Sequence, residues 1–263
     1  MNNLNFYSLI AGLLLTISGP ISQVQAKDVI YNSTGGDEIT RSIVSGTRGM
    51  RGMRGMRGMR GMRGIRGMRG MRGMRAVKNT PSSCWNVQNE IALRLLVPKH
   101  TGKTTDAKPT LYWSVSESLQ DVDFIFIIDK APEKLTEFSE IPLLKDTFHL
   151  DSVEAGIHTL PLSNYQLNLE KNVEYEWSIS LVCDYDNPSL NVSAMSSIKR
   201  VDVPSILAVA SKDNMAALYA KHGFWYNALD MLSEQIKVNN SFHKVRANLL
   251  KQVGLPEVAV YDM

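Results

Sequence analysis

The chain has 263 residues, enough for one large domain or two small ones with appendages. Its net charge of +3 sums two opposite parts: residues 48–75 hold ten arginines and no acid, while residues 76–263 hold 17 Lys and Arg against 23 Asp and Glu. A mildly acidic body with a strongly basic arm is implied, and no long apolar stretch after residue 26 suggests a helical membrane span.

Residues 1–26 read as a secretory signal: an apolar run over 9–17, a Gly19-Pro20 break, then Val24-Gln25-Ala26 before Lys27. The first eight residues hold no Lys or Arg, and the run is short for an uncleaved anchor. Export to the periplasm or beyond is the expectation. Residues 27–47 have no sustained period and read as a linker, part of a disordered arm over 27–83. Arg-Gly-Met units then fill residues 48–75, with Ile65 standing once for Met. A period of three suits neither a buried helix face nor an alternating strand, and glycine at every third position opposes order.

Four readings of the repeat stand side by side: a self-repelling linker, a polyanion-binding arm, a collagen-like triple helix without proline, and a soft-ligand copper site. In the second, Arg48, Arg51, Arg54, Arg57, Arg60, Arg63, Arg66, Arg69, Arg72 and Arg75 are the candidate polyanion-binding residues. Export removes intracellular nucleic acid as a partner and leaves anionic polysaccharide, lipid head groups or an envelope protein.

From Cys84 the composition turns globular. Strands are predicted over 91–97, 110–116, 123–129, 173–184 and 191–203, with 146–152 and 156–162 read as a strand pair around 153–155. Residues 100–108 read as a loop, and 131–140 fit either a short helix or an irregular crossover. The stretch 173–184 alternates best: Val173, Tyr175, Trp177, Ile179, Leu181 and Cys183 share one face, which predicts a central strand. Seven short strands without long helical patterns predict a mainly β fold, an immunoglobulin-like antiparallel sandwich over 84–203.

The period changes after residue 204, and a small helical cap is predicted over 204–263: a helix or two over 206–222 stopped by Gly223, a second from the cluster Phe224-Trp225-Tyr226, and a third over 242–253 closed by Gly254. The junction 217–229 looks like a tetratricopeptide-type hairpin, read first as a hairpin packed on the sandwich and second as a peptide groove with Trp225 and Tyr226 as candidate partner-binding residues.

Chemistry-bearing motifs are sparse. The five histidines fall on separate predicted elements, neither cysteine has a C-x-x-C partner, and no G-x-S-x-G or phosphate-cradling loop occurs, so no catalytic residue, metal or cofactor is assigned. Asp184, Asp186 and Asn187 offer oxygens to calcium, but Asx residues before proline also form turns. Two cysteines in an exported chain point to one disulfide, Cys84 to Cys183, against the alternative of two buried thiols. The two function classes are a non-catalytic binding or scaffold protein and a hydrolase-like envelope enzyme with its site between sandwich and cap.

Several blocks carry a resemblance: Gly46-Thr47-Arg48-Gly49, Cys84, Leu96-Val97-Pro98, Pro109-Thr110, Gly156-Ile157 with Leu160-Pro161-Leu162, and Tyr175-Glu176-Trp177-Ser178 leading to Cys183-Asp184. Ile198-Lys199-Arg200-Val201, Leu218-Tyr219-Ala220, the run from Gly223 to Leu229, Leu249-Leu250 and Val253-Gly254-Leu255 continue it. In this order they resemble the domain of unknown function 928, an exported family frequent in cyanobacteria. The resemblance implies this order of elements, export and the cysteine pair, and it implies no activity. Members carry a shorter Gly/Arg-rich segment before the first cysteine, and many have Gly-Trp where this chain has Ser196-Ser197.

Overall fold

The computed structural model describes residues 29–33, 84, 91–132, 141–208 and 214–263. The signal segment 1–26, the repeat 48–75 with its ten arginines, and residues 133–140 lie outside the described residues.

Among the described residues, eight strands form two sheets. One has the order β1-β3-β6, from β1 (Leu93–Leu95), β3 (Thr110–Val115) and β6 (Gly156–Pro161). The other has the order β2-β8-β7-β4-β5, from β2 (Gly102–Thr104), β8 (Val192–Arg200), β7 (Glu174–Leu181), β4 (Leu119–Lys130) and β5 (Leu144–Val153). β7 is the middle strand, and its alternation places Tyr175, Trp177, Ile179 and Leu181 in the core. Its neighbour β4 adds Val122, Phe124, Phe126 and Ile128 to that face, all fully buried. The sheets meet where Trp113 of β3 packs on Phe124 of β4, ring centroids 4.9 Å apart.

Three expectations are corrected. β5 and β6 do not pair with each other: β5 joins β4 and β6 joins β3, so the chain changes sheets at the corner between them. Ser118 fixes that corner by accepting the Ala155 N–H at 3.0 Å and donating to Glu154, and Gly156 takes a φ of +142° that side-chain-bearing residues rarely adopt. Residues 100–108, read as loop, contain β2, which runs parallel to β8 in the register Gly102↔Ile198, so the second sheet is not wholly antiparallel. The tripeptide Gly-Lys-Thr carries no apolar alternation, and tertiary pairing alone makes it a strand. Finally, residues 29–33 fell within the expected disordered arm, yet they lie packed on the helices.

The C-terminal part comprises α1 (Ser205–Ala208), α2 (Met215–Lys221), α3 (Trp225–Val238), α4 (Phe242–Gln252) and α5 (Pro256–Ala259). Gly223 (φ +77°) and Gly254 (φ +83°) take the left-handed conformation that ends a helix. The helices do not stand apart from the sheets, because buried apolar residues of both form one cluster. The buried start of α3 is also pinned by polar contacts. Trp225 Nε1 donates to the Leu96 carbonyl (2.7 Å), Trp177 Nε1 donates to the Tyr226 hydroxyl (2.9 Å), and the Asn227 amide exchanges bonds with Thr105. Burying these groups is tolerable because each finds a partner.

A disulfide joins Cys84 to Cys183, 99 positions apart, with Cα atoms 5.5 Å apart. Closing a loop of that size lowers the entropy of the unfolded chain by the equivalent of roughly 4.7 kcal/mol in the chain-entropy picture. It also fixes the end of the arm beside the end of β7. Among the described residues, no helix is long and apolar enough to cross a membrane.

Candidate functional site

The described residues hold one place where a peptide-like segment lies against a formed surface. In the stretch Val29-Ile30-Tyr31-Asn32, Val29 is 5% exposed and Ile30 is 65% exposed, the alternation of an extended chain with one face covered. Gln252, the last residue of α4, accepts the Tyr31 N–H through Oε1 (2.8 Å) and donates through Nε2 to the Val29 carbonyl (2.8 Å). The Asn32 N–H donates to the Ala220 carbonyl in the last turn of α2 at 3.1 Å.

Tyr31 anchors the segment. Its ring stacks on His100 with centroids 5.7 Å apart and planes 10° apart, and its hydroxyl lies 2.8 Å from His100 Nε2. Burial holds the phenol well above its ordinary titration range and holds His100 below its own, the nearby Lys103 ammonium adding to the second effect. His100 is therefore mainly neutral at pH 7. Beside Tyr31 opens a cleft of about 370 Å³ whose walls include Lys99, His100, Lys251 and Gly254 and, among the described residues, no carboxylate. The stem of Lys99 lies close over Gly254, where a Cβ would come within 3.5 Å of Cε.

Trp225 and Tyr226, the candidate partner-binding residues, would need to be exposed to line a tetratricopeptide-type peptide groove, and they are 0% and 1% exposed, because α3 turns both into the sheets. Trp225 nevertheless floors the groove, with the Tyr31 ring edge-on to it at 5.1 Å. Tyr31, His100 and Gln252 were missed. The only signal for the segment was a single apolar-x-aromatic step inside a polar run, too short to count as a period.

Three other groups of polar side chains are bonded within the fold. His149 on β5 faces Asp123 through Nδ1 (3.0 Å) and Asp151 and Asp121 through Nε2 (3.3 and 3.6 Å). The acids address different ring nitrogens rather than a common centre, and among the described residues no group of three such side chains could hold a metal ion. At the junction of sheets and helices, where an enzyme site was considered, Asp106 bonds Asn227 and Asp230 bonds Tyr112. Burial and the neighbouring Asp230 charge raise the Asp106 carboxyl above its ordinary range. Asp184 Oδ1 accepts the N–H groups of Asp186 and Asn187, a turn-forming use of its carboxylate.

Compared with known families, residues 67–262 match the model described as Domain of Unknown Function (DUF928). The chain belongs to this family. In this DUF928 protein the match takes in both sheets and helices α1 to α5 of the described residues, and Arg69, Arg72 and Arg75 of the repeat. The groove's walls thus lie within the match, while residues 29–33 and the block Gly46-Thr47-Arg48-Gly49 precede it. No match to a curated protein was found.

Proposed function

We propose that the protein is an exported, non-catalytic binding or scaffold protein of the periplasm or extracellular space. In this reading an immunoglobulin-like two-sheet body with a helical layer carries a basic repeat that contacts anionic surfaces. The observation behind it is the segregation of charge: ten arginines and no acid over 48–75, against 17 basic and 23 acidic residues after them. Guanidinium groups at regular spacing bind phosphate, sulfate or carboxylate groups bidentately, and the acidic body keeps the protein from coating such a surface indiscriminately.

The test compares the mature chain with a variant whose ten repeat arginines are replaced by glutamine, on anionic vesicles, on an acidic polysaccharide and in a pull-down from the envelope. Binding by the parent should fall steeply as salt rises and the Debye length shrinks from about 30 Å at 0.01 M to about 8 Å at 0.15 M. It should be absent in the variant. Salt-insensitive binding, or equal binding by both chains, rejects the proposal.

A further inference from the structure

Gln252 uses both halves of its amide on one stretch of backbone, accepting the Tyr31 N–H and donating to the Val29 carbonyl. An adjacent strand would exchange the same kind of bonds with an extended chain. The side chain thus stands in for a strand and reads backbone, while the Ala220 carbonyl takes the N–H of the following residue, Asn32, from the other edge of the segment. Selectivity comes from alternate side chains: Val29 is buried, Tyr31 fills the space between His100 and Trp225, and Ile30 between them faces solvent. Backbone bonds for affinity with alternate side chains for selectivity is how receptors hold extended peptides. The segment also precedes the family match, so the matched fold is defined without it.

We propose that the groove between residues 96–100 and helices α2 and α4 is a peptide-binding site for an extended Val-x-Tyr segment, and that its resident ligand is residues 29–32 of the same chain. The proposal does not depend on what the arginines bind. It does bear on how they are presented: the groove at residues 29–32 and the Cys84–Cys183 bond give the repeat an anchor point on the body on each side of it.

The experiment uses the mature chain, disulfide intact, with a specific protease site inserted between Ser45 and Gly46. After complete cutting, native mass spectrometry should find the 27–45 peptide still on the body. Tyr31→Ala and Gln252→Leu should each release it while unfolding stays cooperative. A labelled synthetic peptide of residues 27–36 should rebind the cut protein once the peptide has been stripped in mild urea. It should bind the uncut chain at least about tenfold more weakly, because the tethered copy competes at an effective concentration approaching about 1 mM. A peptide that leaves on cutting and fails to rebind at about that concentration overturns the proposal. So does retention unaffected by both substitutions, or loss of cooperative unfolding once the peptide is removed, which would make the segment core. A dimer that exchanges these segments would overturn occupation in cis.

Discussion

The ring of Tyr31 meets the indole of Trp225 edge to face, with centroids 5.1 Å apart and planes at 80°. Trp225 lies at the start of α3 and is fully buried, and Tyr31 is one of the groups that cover it. Replacing Tyr31 with Ala should bring water to the indole, shift its fluorescence to the red and cost about 2 kcal/mol, from the lost ring burial and the lost aromatic pair. Tyr31→Phe keeps the ring and loses only the bond to His100, so about 1 kcal/mol or less is expected. Unchanged emission from Tyr31→Ala would show that Tyr31 does not cover Trp225 in solution.

Gly102 of β2 packs directly against Tyr226 of α3. A Cβ built on it would lie 2.6 Å from Cε2 of Tyr226, whose ring is buried and held by the Trp177 indole at its hydroxyl. The ring has no room to retreat, so Gly102→Ala should destabilise by about 1–3 kcal/mol, the usual range for overpacking. Chemical denaturation measures it, and Gly102→Ala combined with Tyr226→Leu should recover part of the loss. An equal loss in single and double variants would place the strain elsewhere.

The C-terminus is anchored by a buried charge pair. Asp262, with a side chain 1% exposed, receives Arg246 Nε at 2.7 Å and Arg246 Nη2 at 2.6 Å, and His243 Nδ1 lies 2.9 Å away. Arg246→Met strands that carboxylate in the interior and should cost about 3–5 kcal/mol. Arg246→Met with Asp262→Leu removes both charges and should be markedly more stable than Arg246→Met alone, because most of the penalty is the stranded charge. A double variant as unstable as the single one would show that the pair itself, not its rupture, carries the stability.

How far the fold could be read follows from which signals are local. β7 was legible because four alternating side chains share its buried face, β4 because a continuous apolar run over 124–128 lies between two acids, and the helix stops because Gly223 and Gly254 occupy positions that favour glycine. β2 was not, since three residues pair with β8 through backbone alone. The change of sheet between β5 and β6 was not either, because alternation reports a covered face but not which sheet covers it. The groove escaped for the same reason: Gln252 acts as a strand surrogate only once α4 has placed it against a segment 221 residues earlier.

Two histidines should titrate in opposite directions, and the signs follow from their surroundings. His149 is exposed on β5, and its bond to Asp123, helped by Asp151, raises its pKa above the usual value of about 6.5. The stability it contributes is fully present below that value and is lost as pH rises through the folded pKa. His100 is partly buried under Tyr31, which with the nearby Lys103 charge lowers its pKa, and Lys99 and Lys251 lie in the same cleft. Its contribution is present above about 6.5 and is lost as pH falls through the folded pKa, so the hold on residues 29–32 should weaken on acidification. NMR titration of the ring protons should place the His149 midpoint above that of His100, and Asp123→Asn should move His149 back toward the ordinary value while leaving His100 in place. If His100 titrates above His149, the half-buried imidazole under Tyr31 is not the state in solution.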